Sequence, residues 1–101
     1  MTGRDREATT ASPVPVTIFS RPGCHLCDEL KTVVLRVGQS VPMAVEEIDI
    51  SSDPVLEDRY GLEIPVLIVA GKKAAKYRIS EEELRRVLAA RREWRDGQED
   101  Q

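Results

Sequence analysis

Cys24 and Cys27, the two cysteines of the chain, stand three apart in Cys24-His25-Leu26-Cys27. Thiols at that spacing can close a disulfide, exchange with a foreign one or share a metal ion. What flanks them narrows the choice. An apolar run, Val14-Pro15-Val16-Thr17-Ile18-Phe19, leads in, and helical patterning continues from Asp28 to Val37. A thiol at a strand-to-helix hinge faces the positive end of the helix dipole and amides that lack intrahelical partners. Both favour the thiolate, the form that attacks disulfides. With a pKa of about 8.5 a thiol is only about 3% ionised at pH 7, and at a pKa of about 7 half of it is. Cys24 is therefore the expected nucleophile, with Arg21 three residues earlier adding positive potential. Cys27, one turn deeper on the same face and shielded, is the expected resolving thiol that releases a mixed disulfide. The pair reads as a redox-active disulfide.

Taken alone, C-x-x-C admits other readings. The cysteines could be structural, or they could belong to an adaptor without redox activity. A closed zinc site takes four ligands, and this segment offers two cysteines and His25. A metal or iron–sulfur cluster shared between two Cys24-x-x-Cys27 sites of a dimer is another option. His25 either tunes the thiolate as a neighbouring partial charge or is an exposed spacer. Pro65 is the second informative residue. It follows Ile64 at the start of a strand, where a proline removes a ladder hydrogen bond. A turn before the strand is the common local outcome, since only about one X–Pro bond in twenty is cis.

A chain of 101 residues makes one domain with a modest core. The aromatics are Phe19, Tyr60, Tyr77 and Trp94, so Val, Leu and Ile must build most of that core. A formal net charge of -3 gives no basic face for nucleic acid. The longest apolar run, from Ile64 to Ala70, is too short to span a bilayer, so no membrane partner is expected. The stretch from Ala8 to Val16 lacks the apolar block of a secretory signal. The expected compartment is cytoplasmic, where C-x-x-C is more often catalytic or metal-binding than a structural staple.

The elements that must position these residues follow from periodicity and caps. Residues 1–12 read as a disordered tail, 13–95 as the folded domain and 96–101 as a frayed end. Pro15 to Ser20 reads as a first strand buried on both faces. A helix from about Cys24 to Val37 carries one apolar stripe, Leu26, Leu30, Val33, Val34 and Val37, and stops at Gly38. Met43 to Ile50 reads as a second strand. Ser51-Ser52-Asp53-Pro54 opens a short second helix that closes at Gly61, with Val55, Leu56 and Tyr60 expected inward. Pro65 to Val69 and Ala74 to Ile79 read as strands joined by a hairpin turn over Ala70-Gly71-Lys72-Lys73. Ser80 and Glu83 form a capping box for the last helix, with Ile79 and Leu84 as its staple and Leu84, Val87, Leu88 and Trp94 inward. The order is β-α-β-α-β-β-α, beginning with a right-handed crossover.

This arrangement resembles the thioredoxin superfamily, and two segments resemble its glutaredoxins. Val16-Thr-Ile-Phe-Ser-Arg-Pro-Gly-Cys-His-Leu-Cys is similar to the glutaredoxin strand, basic residue and dithiol. Tyr60-Gly-Leu-Glu-Ile-Pro-Val-Leu is similar to the segment that leads into that family's cis-proline strand. The resemblance spans Val14 to Leu88, and its nearest form is the small bacterial glutaredoxin-like group of undefined substrate. It implies a thioredoxin-like α/β fold, a four-stranded mixed sheet flanked by three helices. It further implies a cis Ile64–Pro65 bond packed against the dithiol, with the Ile64 backbone offered to a substrate. Arg21, His25, Ile64 and Pro65 are the substrate-binding residues so implied. The activity implied is thiol–disulfide exchange with protein or small-thiol disulfides. No tightly bound cofactor is expected; glutathione or another low-molecular-weight thiol would be the reductant, or a reductase would be a partner, and the chain would be a monomer. The sequence also departs from the pattern. His25 and Leu26 replace the proline that glutaredoxins carry after the first cysteine and thioredoxins before the second. Ala75-Lys76-Tyr77-Arg78 stands where glutaredoxins carry a Gly-Gly pair and an acidic residue, and Glu63 stands at a position often basic or amide.

Overall fold

The computed structural model describes residues 13–99, with side chains through residue 91. Eight elements follow one another: β1 (Val14–Ser20), α1 (His25–Gly38), β2 (Met43–Asp49), a 3-10 turn (Ile50–Ser52), α2 (Pro54–Tyr60), β3 (Val66–Val69), β4 (Lys72–Lys76) and α3 (Glu81–Glu99). The strands form one mixed sheet in the order β2-β1-β3-β4. β1 pairs with β2 in parallel and with β3 antiparallel, and β4 closes the sheet antiparallel to β3. The β-α-β-α-β-β-α order read from the sequence is the order found.

Alternation along β1 decides which face becomes the core. Val14, Val16 and Ile18 point to one side, where they meet Leu67 and Val69 of β3. Leu30, Val34 and Val37 of α1 and Leu84 and Leu88 of α3 cover them. The opposite face is thinner. Phe19 lies there, stacked on Tyr60 of α2 with ring centroids 4.5 Å apart, while Thr17 is half-buried and Pro15 exposed. β1 is therefore not buried on both faces as its apolar composition suggested. One seven-residue helix is too short to cover a four-stranded sheet.

Other local expectations were displaced by one to three residues, the largest at the end of β4, which stops at Lys76 and not at Ile79. Cys24 is not the first helical residue but the N-cap of α1. Val55 faces solvent at 71% exposure, because Asp53 caps α2 and leaves Leu56 and Tyr60 as the half-buried pair. β4 begins at Lys72, two residues early, because the hairpin turn is only Ala70-Gly71. Both residues have positive φ, 51° and 84°, the two-residue geometry that matches strand twist and suits glycine at its second position. The capping box is present: the Glu83 amide donates to Ser80 Oγ at 3.0 Å, and the Ser80 amide donates to Glu83 Oε1 at 3.1 Å. Residues 1–12 and the side chain of Trp94 lie outside the described residues, and the α3 backbone runs to Glu99. No described helix is long and apolar enough to cross a membrane.

Candidate active site

The hinge between β1 and α1 is built by its own backbone. The Cys24 amide donates to the Arg21 carbonyl at 3.2 Å, and the Asp28 amide returns to the Cys24 carbonyl at 3.2 Å, which starts the helix. Gly23 has φ +78°, where a side chain would be strained, so the turn delivers Cys24 directly to the helix start. Cys24 Sγ accepts the Cys27 amide at 3.1 Å. The sulfur thus caps the helix as a side-chain oxygen would, in reach of a first-turn amide and the positive end of the dipole. The two sulfurs are joined as a disulfide, with Cα atoms 5.2 Å apart. Cys24 is partly exposed and Cys27 is buried at 1% exposure, an asymmetry that suits an attacking and a resolving sulfur.

Arg21 is not aimed at the sulfur. Its guanidinium forks onto Glu57 of α2, Nη2 to Oε1 at 2.7 Å and Nε to Oε2 at 3.2 Å, and reaches the Gly61 carbonyl at 3.4 Å. A two-point pair of this kind largely neutralises the charge, so the expected positive potential at Cys24 gives way to a brace between the dithiol loop and α2. His25 projects outward, its side chain 86% exposed, with Nε2 3.1 Å from Glu29 Oε2 one turn along the helix.

The Ile64–Pro65 peptide is cis. Pro65 is buried and Ile64 half-buried. The carbonyls on either side are held: Leu62 accepts the Tyr77 hydroxyl at 3.0 Å, and Pro65 accepts the Tyr77 amide at 2.8 Å. Among the described residues, neither the N–H nor the carbonyl of Ile64 has a partner. Arg21 links this segment to the dithiol, since its carbonyl holds Cys24 and its guanidinium holds Gly61, three residues before Ile64.

A cleft of about 270 Å³ opens beside Cys27, lined by Ser20, Arg21, Asp28, Lys31, Glu47 and Asp49 among others. Buried Ser20 donates to Glu47 Oε2 at 2.7 Å, and Lys31 Nζ lies 3.1 Å from the same oxygen. The Ser20 hydrogen bond first, with Lys31 adding to it, holds the Glu47 carboxyl below its ordinary range, and burial, second in size, opposes them. Lys31 is raised, chiefly by Glu47. Asp49 is lowered by the hydroxyl and amide of Ser51. Sequence reasoning missed this cluster and Tyr77, because a charged residue on an edge strand reads as solvated surface. A larger cavity, about 580 Å³, lies between β4 and α3 and contains neither cysteine, so size alone would point away from the sulfurs. Among the described residues, no three His, Cys, Asp or Glu side chains are grouped to hold a metal ion.

The fold is shared with known proteins. Residues 15–89 match the glutaredoxin-like domain (DUF836). The chain belongs to this glutaredoxin-like family. A relative from Dictyostelium discoideum described as a glutaredoxin-like protein, the YDR286C homolog, is 31% identical over 77 residues, covering 70% of this chain and 71% of that protein. The structure of protein XcR50 from X. campestris superposes with a TM-score of 0.62 at 32% identity, covering 74% of this glutaredoxin-like chain and 96% of that one. Chloroplastic thioredoxin z, at 16% identity and TM-score 0.60 over 87% of this chain and 88% of its own, shares the fold. The glutaredoxin-like domain thus has the thioredoxin fold.

Proposed function

We propose that this glutaredoxin-like chain is a thiol–disulfide oxidoreductase in which Cys24 and Cys27 cycle between dithiol and disulfide. One observation carries the reading: a partly exposed sulfur caps α1, accepts a first-turn amide and is bonded to a buried sulfur one turn on. In the reducing direction, the Cys24 thiolate attacks one sulfur of a substrate disulfide and expels the other as a thiolate, which takes a proton. The Cys27 thiol loses its proton, attacks Cys24 Sγ in the mixed disulfide and expels the second substrate thiolate. Two electrons have passed to the substrate and the chain holds its own disulfide. Two molecules of glutathione or another low-molecular-weight thiol, or a reductase, would return the chain to the dithiol. Ile64 and Pro65 would line the substrate side, and the unpartnered Ile64 backbone supports that role. Arg21 serves as a brace to that segment, and exposed His25 would meet the substrate at the rim. We assign the chain to the cytoplasm as a monomer.

A reductase assay coupled to disulfide consumption tests the reading. Cys24→Ser should lose turnover by about a thousandfold or more, because no thiolate remains to attack. Alkylation of the reduced chain should titrate with a Cys24 pKa below about 7.5. Full turnover in the variant, or a pKa near the free value of about 8.5, would instead describe an adaptor.

A further inference from the structure

The cavity of about 580 Å³ between β4 and α3 is a groove whose walls follow from three local features. On the helix side, Glu83, Arg86, Val87, Ala90 and Arg91 fall at i, i+3, i+4, i+7 and i+8, one face of α3 about 12 Å long. On the strand side, the β3–β4 register shifts between Leu67 and Ile68 and leaves Ala74 without a partner. Neighbours in a regular strand point to opposite faces, yet Ala74 and Ala75 both line the floor. At the end of β4, Tyr77 has φ +71°, and across it the Arg78 amide donates to the Lys76 carbonyl at 2.8 Å. This three-residue turn brings Lys76 and Arg78 together at one end of the groove. Lys76, Arg78, Arg86 and Arg91 thus line it against one described carboxylate, Glu83, whose Oε1 already accepts the Ser80 amide at 3.1 Å. The whole chain has the opposite sign, a formal net charge of -3. Lys76 Nζ lies over the Tyr77 ring, 5.7 Å from its centroid, and Arg91 Nη1 donates to the Val69 carbonyl at 2.9 Å. Among the described residues, the Arg78 side chain has no hydrogen-bond or ion-pair partner. Arg86 meets Glu82 at 3.2 Å, an exposed pair of the kind that contributes little.

We propose that the groove between β4 and α3 is a docking surface for an acidic, extended segment of a partner protein. The placement of the charges selects that partner. They do not converge on one point, as a single phosphate would need: Arg86 and Arg91 alone stand about 7.5 Å apart along the helix axis, and Lys76 and Arg78 lie across from them. Carboxylates spaced along a polypeptide match such a row, and the alanines of the floor leave room for the side chains between them. β4 ends the sheet, and lysines on an end strand ordinarily keep other chains away. Toward a chain with acidic side chains the same charges attract and set the register. The docking does not depend on the redox reading, and its place suits it. Tyr77, at the groove's end, donates its amide to the Pro65 carbonyl at 2.8 Å, so a docked partner stands beside the Ile64–Pro65 segment and leaves both cysteines uncovered.

The test uses the full chain and a fluorescein-labelled peptide of alternating glutamate and alanine, with the lysine–alanine peptide as its sign control. Anisotropy should show saturable binding of the acidic peptide alone at an ionic strength of about 0.01 M. Binding should weaken about tenfold at about 0.15 M, as the Debye length shrinks from about 30 Å to about 8 Å. Arg78→Glu and Arg86→Glu, both at exposed positions, should each weaken it about fivefold, while Arg59→Glu, the same charge change on α2, should alter it less than about twofold. In the unsubstituted protein, the amide chemical shifts that move with peptide should be those of β4 and residues 78–91. Shifts confined to the β1–α1 hinge would overturn the proposal. So would an equal loss in Arg59→Glu, which would reduce the effect to net charge, or equal binding of both peptides or of neither. Tripolyphosphate displacing the labelled peptide at lower concentration than unlabelled acidic peptide does would assign the groove to a small anion instead. A dimer in sedimentation that Arg78→Glu dissolves would assign it to a second copy of this chain.

Discussion

The sulfur that caps α1 and the carboxylate beside its partner illustrate how single residues divide the work. Cys24 has its environment supplied by backbone: a first-turn amide and a helix end. Glu47 depends instead on side chains, the buried Ser20 hydroxyl first and Lys31 second. Removing the carboxylate should therefore strand the hydroxyl. Glu47→Ala is expected to cost about 1 kcal/mol at neutral pH, at the low end because the carboxylate is partly exposed and screened. Its pH dependence follows from the direction of each shift. The folded state prefers the ionised carboxylate, so the unfolded chain binds more protons in the interval below the ordinary value of 4.5. The contribution is complete above that value and lost as pH falls through the depressed folded pKa. Lys31, raised in the fold, contributes fully below its ordinary 10.5 and loses the contribution as pH rises through the raised value. Urea unfolding of Glu47→Ala and its parent should thus differ between these limits and converge in acid. A difference that stays constant as pH falls through the carboxylate range would show that the carboxylate's charge is not what stabilises the cluster.

Elements announced themselves in the sequence where their ends carry distinctive chemistry, and less where only a tertiary neighbour decides. Ser80 and Glu83 marked the start of α3, and both reciprocal bonds are made. Asp53 and Pro54 marked α2 equally well. The strand-to-helix hinge was legible because C-x-x-C follows an apolar run. By contrast, the left-handed Tyr77 and the fork of Arg21 onto Glu57 depend on residues 12 to 36 positions away, and no local pattern encodes them. The Ile64–Pro65 geometry became legible only through the family resemblance. Gly61 is a similar case. Read as a helix stop, it is also a close approach: a Cβ there would lie 2.5 Å from the Glu57 carbonyl and 2.9 Å from Glu57 Oε1. Gly61→Ala must move either the end of α2 or the carboxylate that holds Arg21. It should destabilise the chain by about 1–3 kcal/mol, the range for overpacking. Thermal unfolding measures this, and an unchanged midpoint would show that the end of α2 shifts freely.

At the scale of the molecule, the sheet is unequally covered, and the site lies where the thick and thin sides meet. α1 and α3 bury one face with branched aliphatic side chains, and Cys27, at the start of α1, is itself buried. The other face carries α2, none of whose residues is fully buried. The Phe19–Tyr60 stack and the Arg21–Glu57 fork connect that helix to β1 and to the dithiol loop. Local opening should follow this inequality, since segments with little buried apolar surface unfold at lower free energy than the core. Tyr60→Ala removes the stack and leaves α2 attached mainly through the fork. The half-buried ring limits the loss to about 2 kcal/mol, below the 3–5 kcal/mol of a fully buried aromatic. Hydrogen exchange should locate the loss: amides of α2 and the 61–65 segment should exchange faster by about tenfold or more, while those of β1, β3 and α1 follow only the smaller change in global stability. Cys24 is held by the backbone of the β1–α1 hinge and not by α2, so it should keep its alkylation pKa while, on the proposed redox reading, substrate binding at Ile64 weakens. Acceleration spread evenly over both sides would mean that α2 and the core open together, and that the 61–65 segment cannot be loosened apart from the dithiol.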